Sequence, residues 1–255
     1  MMVTTNKAGR QLKTGMSDKK YVLITGATGG IGEAAARYLY GQGYGLVLVG
    51  RNESKLDKFR QELAPDTFCV SYDLNDLHNI ESVFGYISDN GIKLDGMVHA
   101  AGINRDTAIR MNDVDVMQEV TAVNYMSFVE LMKLFVKKKY SNDGGSVVAI
   151  SSSAVMFHPM AMCTYTASKA ALESAVIVAA KESAKRGIRV NAIRPGFVDT
   201  KMAADAPSAT AERIEEEQPL GLIDPIHIAY MIEYLLSDKA KYITGAMIPV
   251  TGGAC

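Results

Sequence analysis

Tyr21-Val22-Leu23-Ile24-Thr25-Gly26-Ala27-Thr28-Gly29-Gly30-Ile31-Gly32 joins an apolar, β-rich run to a glycine turn, and the helical pattern Glu33–Tyr40 follows at once. Glycine permits a sharp turn and a close approach by a ligand, while the free N–H groups and dipole at a helix start attract negative charge. Strand, glycine turn and helix in this order predict the opening of a βαβ unit with a pyrophosphate site at the turn. Three residues separate Gly26 from Gly30 and one separates Gly30 from Gly32, a departure from the GxGxxG of ordinary dinucleotide turns.

Outward from this turn, short apolar runs alternate with longer helical patterns. Strands are predicted at Tyr21–Thr25, Gly45–Val49, Phe68–Tyr72, Gly96–His99, Ser146–Ser151, Ile188–Ile193 and Ala246–Val250. They are nearly unbroken Val, Leu and Ile runs, as expected where helices cover both faces of a sheet. The fold class expected is α/β: a single-domain, Rossmann-type doubly wound fold with a seven-stranded, mostly parallel sheet and helices on both faces. Helix ends are readable: Asn52 caps a helix through Leu63, and Asp224 followed by Pro225 opens one that runs to Leu236. Residues 20–255 are read as one domain behind a polar arm, 1–19, and the Ala-rich, acidic stretch 200–220 reads as a mobile substrate lid.

Composition excludes several classes. The 27 basic and 28 acidic residues give a net charge of −1, unlike a nucleic-acid binder. Three cysteines without CxxC spacing and four scattered histidines argue against a disulfide framework or a metal site. The basic residues before Lys20 have no apolar run behind them, and no apolar stretch reaches the roughly 18–20 residues of a membrane span, so a cytoplasmic setting is expected.

The cofactor's identity turns on the end of the second strand. NAD enzymes place a carboxylate there for the ribose 2′-hydroxyl, whereas Gly50-Arg51 offers a planar cation suited to a 2′-phosphate, so NADP(H) is expected. Asp73, past the third strand, suits either an adenine contact or a helix N-cap. Chemistry is expected at Tyr165-Thr166-Ala167-Ser168-Lys169, where a separation of four puts phenol and ammonium on one helix face. A nearby cation favours the phenolate, and Tyr165 then trades its proton with a carbonyl or alcohol oxygen. Ser151-Ser152-Ser153 closes the fifth strand, where open α/β sheets hold ligands; composition does not choose among the three.

Together these residues resemble the short-chain dehydrogenase/reductase family over Tyr21 to Gly253, through TGxxxGxG at Thr25 to Gly32 and YxxxK at Tyr165 to Lys169. The resemblance implies that the catalytic serine is Ser152, thirteen residues before Tyr165, that Asn124 joins the proton relay, and that Lys169 also holds the nicotinamide ribose. It implies cofactor contacts at Gly26, Thr28, Gly30, Ile31, Gly32, Arg51, Asp73, Leu74, Ala100, Gly102, Tyr165, Lys169, Pro195, Gly196, Val198 and Thr200. Phe157, His158 and Met160, beside Ser152 and Tyr165, are the expected substrate contacts, and Met162 belongs to the same apolar stretch bordering the substrate. His99-Ala100-Ala101-Gly102 stands where the family usually has Asn-Asn-Ala-Gly, and His99 is read as a structural substitute.

Within the family, Ala101 to Asp106, Asn191 to Phe197 and Tyr242 to Gly245 look most like 3-oxoacyl-(acyl-carrier-protein) reductases. The expected function is therefore NADPH-dependent reduction of a ketone, with a 3-oxoacyl thioester as the candidate substrate and Tyr165 as general acid. An NADP-linked alcohol or sugar dehydrogenase is the alternative within the family, and a non-catalytic NADP-binding sensor or scaffold the alternative outside it. The resemblance also implies a homotetramer, a small-molecule or carrier-bound substrate, and a basic patch at Lys185 and Arg186 for an acidic carrier.

Overall fold

The computed structural model describes residues 19–205, 214 and 216–254. Seven strands, β1 (Tyr21–Thr25), β2 (Gly45–Gly50), β3 (Thr67–Ser71), β4 (Leu94–His99), β5 (Ser141–Ile150), β6 (Arg189–Pro195) and β7 (Met247–Val250), form one sheet. Their order is β3-β2-β1-β4-β5-β6-β7. Every neighbouring pair is parallel, where the sequence reading expected a mostly parallel sheet. The order reverses between β1 and β4, and open α/β sheets bind ligands in the crevice beyond the carboxyl ends at such a point.

The helices are α1 (Gly30–Gly41), α2 (Glu53–Glu62), α3 (Glu81–Asp89), α4 (Val114–Thr121), α5 (Ser127–Phe135), α6 (Ala154–Phe157), α7 (Cys163–Ser183), α8 (Lys201–Ala204) and α9 (Pro225–Leu236). Side chains alternate along each strand, which divides the core in two. Leu23 and Val47 join Phe84, Phe128, Leu131 and Leu172 on one side. Val22, Ile24 and Leu48 join Ala35, Leu39, Phe59, Ile228 and Ile232 on the other. Both faces of the sheet are thus covered, which explains why its strands carry no polar alternation.

The expected caps form. The Asn52 side chain accepts from Lys55 N at 3.1 Å, and Asp224 accepts from Ile226 N at 2.9 Å with Pro225 in the first turn. β5 begins earlier than expected because Ser141 pairs with Leu94 ahead of a register shift, although Asn142-Asp143-Gly144-Gly145 reads as a turn. Between α4 and α5 the chain makes a π-turn, Ala122–Met126, centred on Asn124. Of the expected lid, residues 206–213 and 215 lie outside the described residues, as do residues 1–18 of the expected arm. α8 falls within that lid stretch, and its N-cap Thr200 accepts from Ala203 N at 3.3 Å. No helix among the described residues is long and apolar enough to cross a membrane.

Candidate active site

Three glycines shape the turn after β1 by leaving no room for a side chain. Gly26 has φ +65°, and a Cβ there would meet the Ala101 backbone nitrogen at 2.6 Å. A Cβ at Gly32 would lie 2.1 Å from the Gly26 carbonyl oxygen, and one at Gly30 only 2.4 Å from Thr200 Cγ2. The turn therefore seats the start of α1 against the exit of β4 and the end of the loop after β6. The N-cap Gly29 contributes no side-chain bond, so early N–H groups of this twelve-residue helix stay available to an anion.

The cleft above this turn takes in Gly26, Thr28, Gly30, Ile31 and Gly32 from one side, and Ala100, Gly102 and Thr200 from the other. Arg51, Asp73 and Leu74 close its far end. Arg51 is exposed and lies 3.9 Å from the Asp73 carboxylate. Asp73 caps a turn by accepting from Asn75 N at 3.0 Å, so it caps no helix. Lys55, which the sequence reading did not single out, donates to the Thr28 carbonyl at 3.0 Å and to the Glu33 carboxylate at 3.2 Å, tying the turn to α1 and α2. A crowded glycine turn, a helix start and an exposed guanidinium at the end of β2 fit the phosphates of a nicotinamide dinucleotide.

Tyr165 lies in the first turn of α7 and Lys169 one turn further on, both buried. Lys169 Nζ donates to the Ile150 carbonyl at the end of β5 at 2.8 Å and lies 5.9 Å from the Tyr165 ring centroid. It also faces Gly102, where a Cβ would come within 3.1 Å of Nζ. Burial pulls the Lys169 ammonium down to about 8, and Glu173 opposes the fall. Burial likewise pushes the Tyr165 phenol above its usual 10, opposed by the nearby Ser152 hydroxyl. This corrects the sequence argument, which expected the neighbouring cation to bring the phenol down.

Of the three serines, Ser152 shares a cavity with Tyr165 and its Oγ accepts from Ala154 N at 3.1 Å, whereas Ser151 Oγ donates to Glu173 at 2.7 Å and the Ser153 backbone N–H donates to the Pro195 carbonyl at 2.9 Å. Asn124 accepts from Ile103 N at 2.8 Å and donates to the Ile103 carbonyl at 3.0 Å and to Ser168 Oγ at 2.9 Å. Its amide is thereby committed to bracing the π-turn against α7. His99 is fully buried outside both cavities, with Nδ1 3.0 Å from Thr25 Oγ1 and Nε2 without a hydrogen-bond partner. Burial, then the Lys169 charge, lowers its pKa to about 3, which leaves a neutral ring.

Beside the phenol a second cavity opens, sharing Ile31, Ala100, Gly102 and Thr200 with the nucleotide cleft. Ser152, Phe157, Met162, Tyr165, Pro195, Gly196 and Val198 line it, as do Pro159, Phe197 and Met202, which the sequence reading did not name as substrate contacts. His158 and Met160 are not brought to this wall. His158 takes a left-handed conformation at the end of α6, and Met160 is 94% exposed. Gln218, also on the wall, was missed because a lone glutamine in an acidic stretch carries no pattern. It is fully buried and grips the Phe197 backbone, accepting from its N at 2.8 Å and donating to its carbonyl at 3.0 Å.

Lys185 and Arg186 lie at the other end of α7, about 30 Å from Tyr165 at the rise of a helix. Arg186 is held by Asp143 at 2.7 Å and by the Val136 and Ser141 carbonyls at 2.8 and 2.9 Å. It serves the packing of α7 on the approach to β5.

A family model described as enoyl-(acyl carrier protein) reductase matches residues 26–255. A 3-oxoacyl-[acyl-carrier-protein] reductase FabG of Rickettsia felis is 38% identical over 236 residues, 92% of this chain and 96% of that protein. An acetoacetyl-CoA reductase of an Acinetobacter species is 30% identical over 245 residues, 93% of this chain and 98% of that protein. Among solved structures, a 4-hydroxyisoleucine dehydrogenase mutant complexed with NADH and succinate superposes with TM-score 0.86 at 28% identity, covering 92% of this chain and 98% of that one.

Proposed function

The chain belongs to the short-chain dehydrogenase/reductase family and is an oxidoreductase of the alcohol–ketone pair, and from that premise we propose that it reduces a 3-oxoacyl thioester with NADPH, Tyr165 acting as the general acid. One observation carries the reading. Tyr165 and Ser152 line one apolar cavity that opens into the glycine cleft, and Lys169 lies beside both.

NADPH bound in that cleft supplies the hydride. The substrate's keto oxygen sits between the Ser152 and Tyr165 hydroxyls, which orient it and stabilise the charge it gains. Tyr165 gives that oxygen its proton, so that ketone, NADPH and one proton become alcohol and NADP. Lys169 keeps its ammonium beside the phenol and takes the ribose on the cleft side. Asn124, fixed in the π-turn, holds the loop at Ile103 that borders both ligands.

Arg51, exposed at the far end of the cleft, supports NADP(H) over NAD(H). The apolar wall of Phe157, Met162, Phe197 and Met202 suits an acyl chain better than a sugar, and the two reductases named above act on thioesters by their names. A homotetramer would cover Met126, Val129, Ile177 and Val178, which are exposed on the neighbouring surfaces of the π-turn, α5 and α7.

The test is NADPH oxidation with acetoacetyl-CoA as substrate. The protein is expected to turn over with a 3-hydroxy product, and Tyr165→Phe to lose roughly 10²–10⁴ of that rate, the contribution of a positioned acid. Turnover by Tyr165→Phe close to that of the parent would remove Tyr165 from the role.

A further inference from the structure

Glu173 stands one turn beyond Lys169 on α7, and only 8% of its side chain is exposed. Its Oε1 accepts from Ser151 Oγ and from Arg194 Nε, each at 2.7 Å, and its Oε2 accepts from Arg194 Nη2 at 2.6 Å. Ser151 adjoins Ser152 beyond β5, and Arg194 immediately precedes Pro195 and Gly196 on the cavity wall. One buried carboxylate thus ties together the segment bearing the serine, the helix bearing Tyr165 and Lys169, and the strand leading to the loop beside the cleft. It lines neither cavity among the described residues, so it acts through its neighbours.

The groups around the Lys169 ammonium show why a carboxylate matters there. On its own helix it has Tyr165 and Glu173; β5 offers only the Ile150 carbonyl. Beyond Gly102 lies the Asn124 amide, on β4 the neutral ring of His99, and on β6 the Arg194 guanidinium, held by Glu173 itself. Glu173 is the anion among them. A buried ammonium with no anion near it sheds its proton more readily.

We propose that Glu173 is a positioning residue of the reduction, keeping Lys169 charged and aligning the Ser152 segment and the loop at Pro195 through Ser151 and Arg194. The inference rests on the role given to Lys169 above. A removed carboxylate leaves the cation with burial unopposed, so its titration moves further down in pH.

The experiment follows the Lys169 side chain by NMR in protein carrying isotope-labelled lysine, with the signal assigned by its loss in Lys169→Met. Glu173→Gln is expected to move that titration to lower pH by about one unit, a tenfold change in proton affinity. Glu173→Asp, which keeps the charge, is expected to stay near the parent. The alkaline limb of kcat/KM for acetoacetyl-CoA should move with it, while KM stays within about twofold, a pattern that loosened packing alone does not give. If Glu173→Gln does not fold because Arg194 is stranded, Glu173→Gln/Arg194→Gln removes both charges and must shift Lys169 in the same direction. An unmoved Lys169 titration in the folded variant overturns the proposal. A shifted titration in protein that never reduces the ketone, parent included, supports Glu173 and instead sinks the assigned reaction.

Discussion

Tyr165 and Lys169 are buried together, and burial drives them in opposite directions, the phenol upward from 10 and the ammonium down to about 8. Reduction needs the phenol protonated and the lysine charged, and at neutral pH both conditions hold. As pH rises, the ammonium is the first to be lost, so kcat/KM for reduction is expected to fall about tenfold per unit above about 8. A profile flat from pH 7 to 9.5 would show that the lysine charge is not needed. The pairing itself was legible because a spacing of four allows only one helical geometry. The choice of serine was not. Ser151, Ser152 and Ser153 are chemically alike, and only their surroundings separate them: Ser151 is held by Glu173, Ser153 by the Pro195 carbonyl, and Ser152 shares the cavity with Tyr165. Glu173 left no mark in the sequence either, since its meaning comes from Arg194, 21 residues away on another element.

Among the elements, the turn between β1 and α1 was the most legible, since few backbone paths link a strand to a helix through three such glycines. Two glycines of α1 nevertheless make contrasting predictions. Gly32→Ala would set a Cβ 2.1 Å from the Gly26 carbonyl oxygen, a backbone atom that cannot swing aside, so the turn must deform. NADPH affinity, read by quenching of its fluorescence, is expected to weaken by at least about tenfold, the equivalent of about 1.4 kcal/mol. Gly41, the last residue of the same helix, has nothing within 4 Å of an added Cβ. Gly41→Ala is expected to raise stability by about 0.4–1 kcal/mol in urea unfolding, through the entropy of the unfolded chain, and to leave nucleotide binding alone. Equal losses in both variants would mean that crowding at the turn is not what fixes its glycines. Element ends were less legible where pairing overrode local preference, as at Ser141, whose partner Leu94 holds turn-forming residues in β5.

One part of the molecule's acid sensitivity is expected at His99, which sits in the middle of the sheet between Thr25 on β1 and the Phe128 ring on α5. Its departure from the family pattern was visible in the sequence, and a structural role was read from it. The contact with Thr25 was not visible, because it depends on the register in which β1 and β4 pair, a long-range property of the assembled sheet. Burial lowers its pKa from 6.5 to about 3. Between those values the unfolded chain holds a proton at this site and the folded chain does not, so the unfolded state binds more protons and stability falls as pH falls. The slope for one such group is about 1.4 kcal/mol per pH unit, or about 2 kcal/mol between pH 6.5 and 5. His99→Asn puts a group that does not titrate in the same place and should abolish that part of the slope, whatever it does to stability at pH 7.5. Urea unfolding of parent and variant at pH 7.5, 6 and 5 measures the difference. Parallel losses in the two proteins would place the acid sensitivity in the surface carboxylates, and the neutral ring beneath the active site would have no part in it.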